Sequence, residues 1–153
     1  MNRARLLEQL LQSTREGYWL IDNDAIGLEV NPAMCGILGR PRDAVIGRSI
    51  FDFVDDENRD VFLRQIELRK QGVVGPYEIA LIRPDGTAVP CINNGTPIFD
   101  EKGNRYGSVG LWTDISEQKL HEQALQRSFE RAERASRAKS RFLSSMSHEL
   151  RTP

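Results

Sequence analysis

From Ser116 to Thr152 the chain contains neither glycine nor proline. Within that run Leu125, Phe129, Ala132, Ser136, Lys139, Leu143, Met146 and Leu150 recur at intervals of three and four, the spacing of one helix face. The run predicts a single helix of about 35 residues, roughly 50 Å long. That is too long to fold back on a small domain, so its stripe needs a partner, most simply the same helix of a second chain. Ser136 and Lys139 interrupt the stripe, and Ala135, Ala138 and Phe142 form a second one beside it. The pattern is that of a coiled-coil seam with a polar break. The alternative is a partly frayed amphipathic helix packed on the rest of the chain.

The preceding residues are punctuated quite differently. ARLLEQLLQSTREG sets Leu6, Leu7, Leu10 and Leu11 on one side of a short amphipathic helix, with Gly17 as its stop. YWLID and IGLEV flank Asn23-Asp24 and read as paired strands. In NPAMCGILG, Asn31 is suited to an N-cap, Pro32 to the first helical position and Gly39 to the stop. PRDAVIG is a further short turn. Residues 55–72 begin with three acidic side chains and end with Arg69-Lys70 and Gly72, the order that a helix dipole favours. Three strand candidates follow, YEIALI, TAVPCINNGTPIF and RYGSVGLWTDI, separated by RPDG and DEKGN turns. The expectation is an α+β fold: a five-stranded antiparallel sheet with short helices on one side, an N-terminal amphipathic helix and a long C-terminal coiled-coil helix.

Formal net charge is −1, shared unevenly as −4 over residues 1–115 and +3 over residues 116–153. The basic excess is a solvated helix face rather than a nucleic-acid surface. Cys35 and Cys91 make neither a disulfide framework nor a zinc pattern, and no metal site is expected. No apolar run approaches the roughly 20 residues of a membrane span, and no signal peptide opens the chain. The reading is a cytoplasmic chain without a membrane segment.

His148 lies near the end of the long helix with Glu149 beside it. Imidazole titrates near neutrality, so a neutral, nucleophilic fraction is available for phosphoryl transfer. An adjacent carboxylate can orient the ring and take the proton that the reaction leaves on it. Positioning of ATP and Mg²⁺ must come from elsewhere, because the chain has no Gly-rich phosphate loop.

Residues 17–115 resemble a PAS domain through EVNPAMCGILGR, IGRSIFDFV, RPDGT and WTDISEQK, and FLSSMSHELRTP resembles the H-box of histidine protein kinases. The resemblance implies an N-terminal helix over 1–16, a sensor domain over 17–115, a coiled-coil signalling linker over 116–140 and the start of a phosphoacceptor helix over 141–153. It implies His148 as phosphoacceptor, Glu149 as its acid/base partner and Thr152 as a residue for dephosphorylating a response regulator. Pro153 would kink the helix by deleting a backbone donor. The chain is then expected to be a sensory and dimerising piece of a two-component sensor histidine kinase, cut just after its phosphorylation site and inactive alone. Its implied partners are a second copy, a response regulator and the parent's ATP-binding domain, which uses ATP and Mg²⁺. The competing reading is a PAS scaffolding module whose histidine is inert. Asp114 is read as a joint between sensor and helix, capping the first turn or pairing with Arg83.

The sensor's ligand is not legible. Cysteinyl-flavin chemistry is disfavoured, because Ile50 stands where light-sensing relatives carry cysteine. Haem is disfavoured because residues 1–120 contain no histidine. Non-covalent flavin stays open through Trp19, Asn93 and Asn94, behind a small organic ligand or no ligand at all. Candidate pocket residues are Met34, Leu38, Phe62, Ile66, Ile79, Leu81, Cys91 and Asn93.

Overall fold

The computed structural model describes residues 2–151. Helix α1 spans Arg3–Ser13, capped by the Asn2 side chain, which accepts from the Ala4 N–H at 3.2 Å. It ends at Thr14, whose backbone turns extended while its hydroxyl accepts from the Glu16 N–H. The stop expected at Gly17 therefore comes three residues early. Gly17 instead opens strand β1 (Gly17–Asp22), where an added Cβ would come within 2.7 Å of Met34 Sδ. This glycine is required by close packing rather than by helix termination.

Strand β2 (Gly27–Val30) pairs antiparallel with β1. The hairpin between them closes on Asp22, whose Oδ1 accepts from the Asp24 and Ile26 N–H groups at 2.9 Å. Helix α2 (Pro32–Leu38) has the expected grammar: Asn31 accepts from the Met34 N–H, proline occupies the first turn, and Gly39 ends it at φ 63°. Two 3-10 turns, Arg42–Ala44 and Ile50–Phe53, lead to helix α3 (Asp56–Lys70). Asp55 caps α3, and Asp56 and Glu57 stand against Arg69 and Lys70 at its two ends, so both ends complement the dipole.

Strands β3 (Tyr77–Ile82), β4 (Ala88–Phe99) and β5 (Arg105–Asp114) form the expected meander. The sheet order is β2-β1-β5-β4-β3, so β5 lies between β1 and β4 and joins both halves of the chain into one antiparallel sheet. One face is buried. Trp19, Ile79, Leu81, Val89, Cys91 and Trp112 meet Met34, Ile37 and Leu38 of α2, Val45, Ile50, Phe53 and Phe62 there. Trp19 packs edge-on to Phe53 at 5.3 Å and lies 5.9 Å from the Trp112 ring.

Residues up to Ser116 form one compact unit, and residues from Glu117 onward form a second. The second consists of helix α4, which runs 36 residues from Ser116 to Arg151. Its apolar side chains Leu125, Phe129, Leu143, Met146 and Leu150 are all exposed. Glu130–Arg134 and Glu133–Arg137 pairs at i,i+4 spacing lie along it. Among the described residues no helix is long and apolar enough to cross a membrane.

Candidate functional site

Between the buried face of the sheet and α3 lies a cavity of about 350 Å³. Strand register explains why space is left there. Trp19, Gly110 and Gly95 stand side by side on β1, β5 and β4, so two of the three neighbours on that rung carry no side chain. The rung on one side holds Trp112, Asn93 and Tyr77, and the rung on the other holds Ile21 and Ser108. Phe62, Ile66, Arg69 and Lys70 of α3 line the opposite wall, with Ile50, Arg105 and the Asp22–Ala25 hairpin completing it.

The polar groups are arranged unevenly. Asn93 is 3% exposed, and its Nδ2 donates to the Tyr77 hydroxyl at 2.8 Å. The Arg69 guanidinium lies 5.6 Å from the centre of the Tyr77 ring. Burial pushes the Tyr77 hydroxyl above its ordinary value, and the bond from Asn93 and the nearby Arg69 charge oppose that rise. Yet Asn93 Oδ1 and Arg69 Nη2 are buried without a hydrogen-bond partner. Trp19 Nε1 is a third such atom, but it sits against Gly27, 3.1 Å from where a Cβ would stand. Arg105 donates to the Ser108 hydroxyl at 2.7 Å.

Of the pocket residues expected from sequence, Phe62, Ile66 and Asn93 line the cavity. Met34, Leu38, Ile79, Leu81 and Cys91 lie in the close-packed core outside the lining, each 3% exposed or less. Burial first, then the nearby Asp114 charge, pushes the Cys91 thiol up to about 12, against a smaller opposing effect of Arg83. Trp19 lines the cavity, whereas Asn94 is exposed. The sequence reading passed over Arg69, Arg105, Ser108, Gly95 and Gly110. Their signal was available: alternation along β4 and β5 puts Asn93, Gly95, Ser108 and Gly110 at inward positions, where a plain core would be apolar.

Asp114 Oδ1 accepts from the Ser116 N–H at 2.8 Å and from its hydroxyl at 2.6 Å, where the chain passes from β5 into α4. Arg83 is spent differently. Its Nε donates to the Ile37 carbonyl at 3.0 Å and its Nη2 to the Gly36 carbonyl at 3.4 Å, anchoring the end of α2.

On α4, His148 and Glu149 are exposed. His148 shares a face with Ser140, Arg141, Ser144 and Ser145. At about 100° per residue the imidazole projects away from the Leu143–Met146–Leu150 stripe. A partner seated on that stripe would leave the histidine open to solvent. Thr152 and Pro153 lie outside the described residues.

A family model described as PAS domain matches residues 15–117. The aerobic respiration control sensor protein ArcB of Escherichia coli (strain K12) is 43% identical over 77 residues, which are 50% of this chain and 9% of that protein. The virulence sensor protein BvgS of Bordetella pertussis is 27% identical across 99% of this chain and 13% of its own length. This chain thus spans a small part of these relatives. A crystal structure of a sensory box histidine kinase/response regulator from Burkholderia thailandensis superposes with a TM-score of 0.63 at 19% identity. That match covers 84% of this chain and 98% of the solved one. At that identity it shows a common fold.

Proposed function

The chain belongs to the PAS domain family, and from that premise we propose that it is the sensory and dimerising part of a two-component histidine kinase. In this reading the PAS unit relays a signal through a coiled coil of two α4 helices to His148. The observation that carries the proposal is the His148–Glu149 pair on an exposed face of an unbroken helix that begins directly after the last PAS strand. The SHELRTP resemblance and the sensor-protein relatives support it.

The chemistry asked of this chain is limited. The neutral imidazole of His148 attacks the γ-phosphorus of ATP, an N–P bond forms, the bond to the bridging oxygen breaks, and ADP leaves. Glu149 takes the ring proton. ATP and Mg²⁺ belong to the ATP-binding domain, and the phosphoryl group passes on to a response regulator. Thr152 is assigned to regulator dephosphorylation, in which water attacks the phosphorylated regulator and inorganic phosphate leaves. Asp114 is read as the joint, since it bonds Ser116, the first residue of α4.

The test is to supply the ATP-binding domain of a histidine kinase in trans with ATP. Acid-labile, base-stable phosphate should appear on this chain and vanish in His148→Gln. Glu149→Gln should slow it by about 10²-fold or more, as loss of a general base does. A wild-type chain that stays unlabelled, or label that survives in His148→Gln, overturns the proposal. An unlabelled chain that still dimerises returns the scaffold reading.

A further inference from the structure

We propose that the cavity takes a small 2-hydroxy carboxylic acid, its carboxylate on Arg69, its hydroxyl donating to Asn93 Oδ1, and its apolar body against Trp19, Trp112 and Phe62. The inference deepens the sensory reading, because it names the chemistry of what the PAS unit would sense. Binding itself is argued from the cavity alone.

Asn93 Nδ2 donates to the Tyr77 oxygen at 2.8 Å, with the Arg69 guanidinium 5.6 Å from the centre of the Tyr77 ring. That fixes the amide with Oδ1 turned away from Tyr77, so the unpartnered groups are one acceptor on Asn93 and one cationic donor on Arg69. Buried polar groups are normally satisfied, and an orphan pair beside a cavity asks for a ligand with the complementary pair. The sheet makes room for both tips. A Cβ on Gly95 would lie 2.6 Å from Arg69 Nη1 and 2.7 Å from Nη2. A Cβ on Gly110 would lie 2.8 Å from Asn93 Oδ1. The two glycines are direct neighbours across β4 and β5, so donor and acceptor flank one bare patch of backbone.

Charge selects an acid over a neutral compound. The lining holds Arg69, Lys70 and Arg105 against Asp22 alone, and Asp22 Oδ1 already accepts from two backbone N–H groups of its own hairpin. A planar guanidinium suits a carboxylate. Size and surface exclude two other classes. At about 350 Å³ the cavity is at the small end of ligand sites, which run from about 300 to 1,000 Å³. A dinucleotide or a tetrapyrrole does not fit that end of the range. Ile21 and Ile66, both only half-buried, would go uncovered beneath an inorganic anion.

The protein's two tryptophans, Trp19 and Trp112, both line the cavity, so intrinsic fluorescence reads occupancy directly. The wild-type chain should give saturable titrations with at least one of phenyllactate, mandelate and 2-hydroxyisocaproate. Phenyllactamide and 3-phenylpropionate, lacking the charge and the hydroxyl respectively, should bind about tenfold more weakly than phenyllactate. Arg69→Gln should weaken phenyllactate about tenfold and leave phenyllactamide unchanged. Asn93→Leu should abolish the preference for phenyllactate over 3-phenylpropionate, with circular dichroism confirming that both variants fold. Should a variant fail to fold, the wild-type series decides. No saturable signal with any of the three acids, or equal affinity for phenyllactate and its amide, overturns the inference. Phosphate transfer to His148 is measured separately, so acid binding without transfer defeats only the relay, and transfer without acid binding defeats only the ligand assignment.

Discussion

Asn31 uses a single amide at four places. Its Oδ1 accepts from the Tyr18 and Met34 N–H groups at 2.8 and 3.0 Å. Its Nδ2 donates to the Leu11 and Glu16 carbonyls at 2.8 and 2.9 Å. The cap on α2 was legible from Asn31-Pro32, because capping is local. The other three bonds were not, since their partners sit in β1 and around the end of α1. Asn31→Ala should therefore cost about 3 kcal/mol, more than the roughly 1 kcal/mol of an ordinary cap. Asn31→Asp keeps the acceptor but sets a buried carboxylate oxygen against the Leu11 and Glu16 carbonyls, so it should cost at least as much as Asn31→Ala. Urea denaturation measures both; a cost near 1 kcal/mol for Asn31→Ala would show that the long-range bonds contribute little. Cys91 gives a pH dependence at the same scale. Its folded value of about 12 lies above the unfolded thiol's 9.0, so its contribution to stability is complete below about pH 9 and declines as pH rises through the window to about 12. In that window the folded state binds more protons than the unfolded one, and stability falls with pH. Cys91→Val should flatten the decline in denaturation midpoints between pH 9 and pH 11; an unchanged slope would assign the decline to the tyrosines instead.

Elements bounded by local chemistry were readable in order and type. Asp55 and the acidic turn start α3, Gly86 at φ 84° closes the RPDG turn, and the breaker-free run is one helix. The pairing of β5 with β1 was not readable, because it joins residues some ninety positions apart and alternation fixes a strand's face without naming its neighbour. The cavity was hidden for a related reason. Gly95 and Gly110 are unremarkable singly, and only their adjacency across two strands leaves space for Arg69 and Asn93. In the coiled coil proposed for α4, Ser136 and Lys139 occupy seam positions where leucine would bury more apolar surface. Each buried leucine contributes about 1.5–3 kcal/mol, so Ser136→Leu with Lys139→Leu should raise dimer stability by a few kcal/mol in equilibrium sedimentation. If the polar break is what allows two packings, the same pair in a parent kinase should fix its activity high or low. A more stable dimer with an unchanged signal response would limit the break to setting register.

At the scale of the molecule, the two units differ in what holds them together. The first buries a core of two tryptophans, two phenylalanines and the aliphatic residues around them, and its hydrogen-bonded sheet closes within residues up to Ser116. The second is one helix whose Leu125 is 71% exposed and Leu150 82% exposed. Such a helix gains its stability from tertiary packing of its apolar face, since propensity alone leaves isolated helices marginal in water. A chain ending at Ser116 should keep the unfolding midpoint of the PAS unit, to within about 1 kcal/mol in denaturant, and should lose the dimer. Dilution of the full chain should melt α4 helicity together with the dimer, seen as parallel changes in circular dichroism and sedimentation, while the indole fluorescence of Trp19 and Trp112 stays native. If the shortened chain dimerises as tightly as the whole, the association surface lies in the PAS unit; if it unfolds, the PAS unit draws its stability from α4.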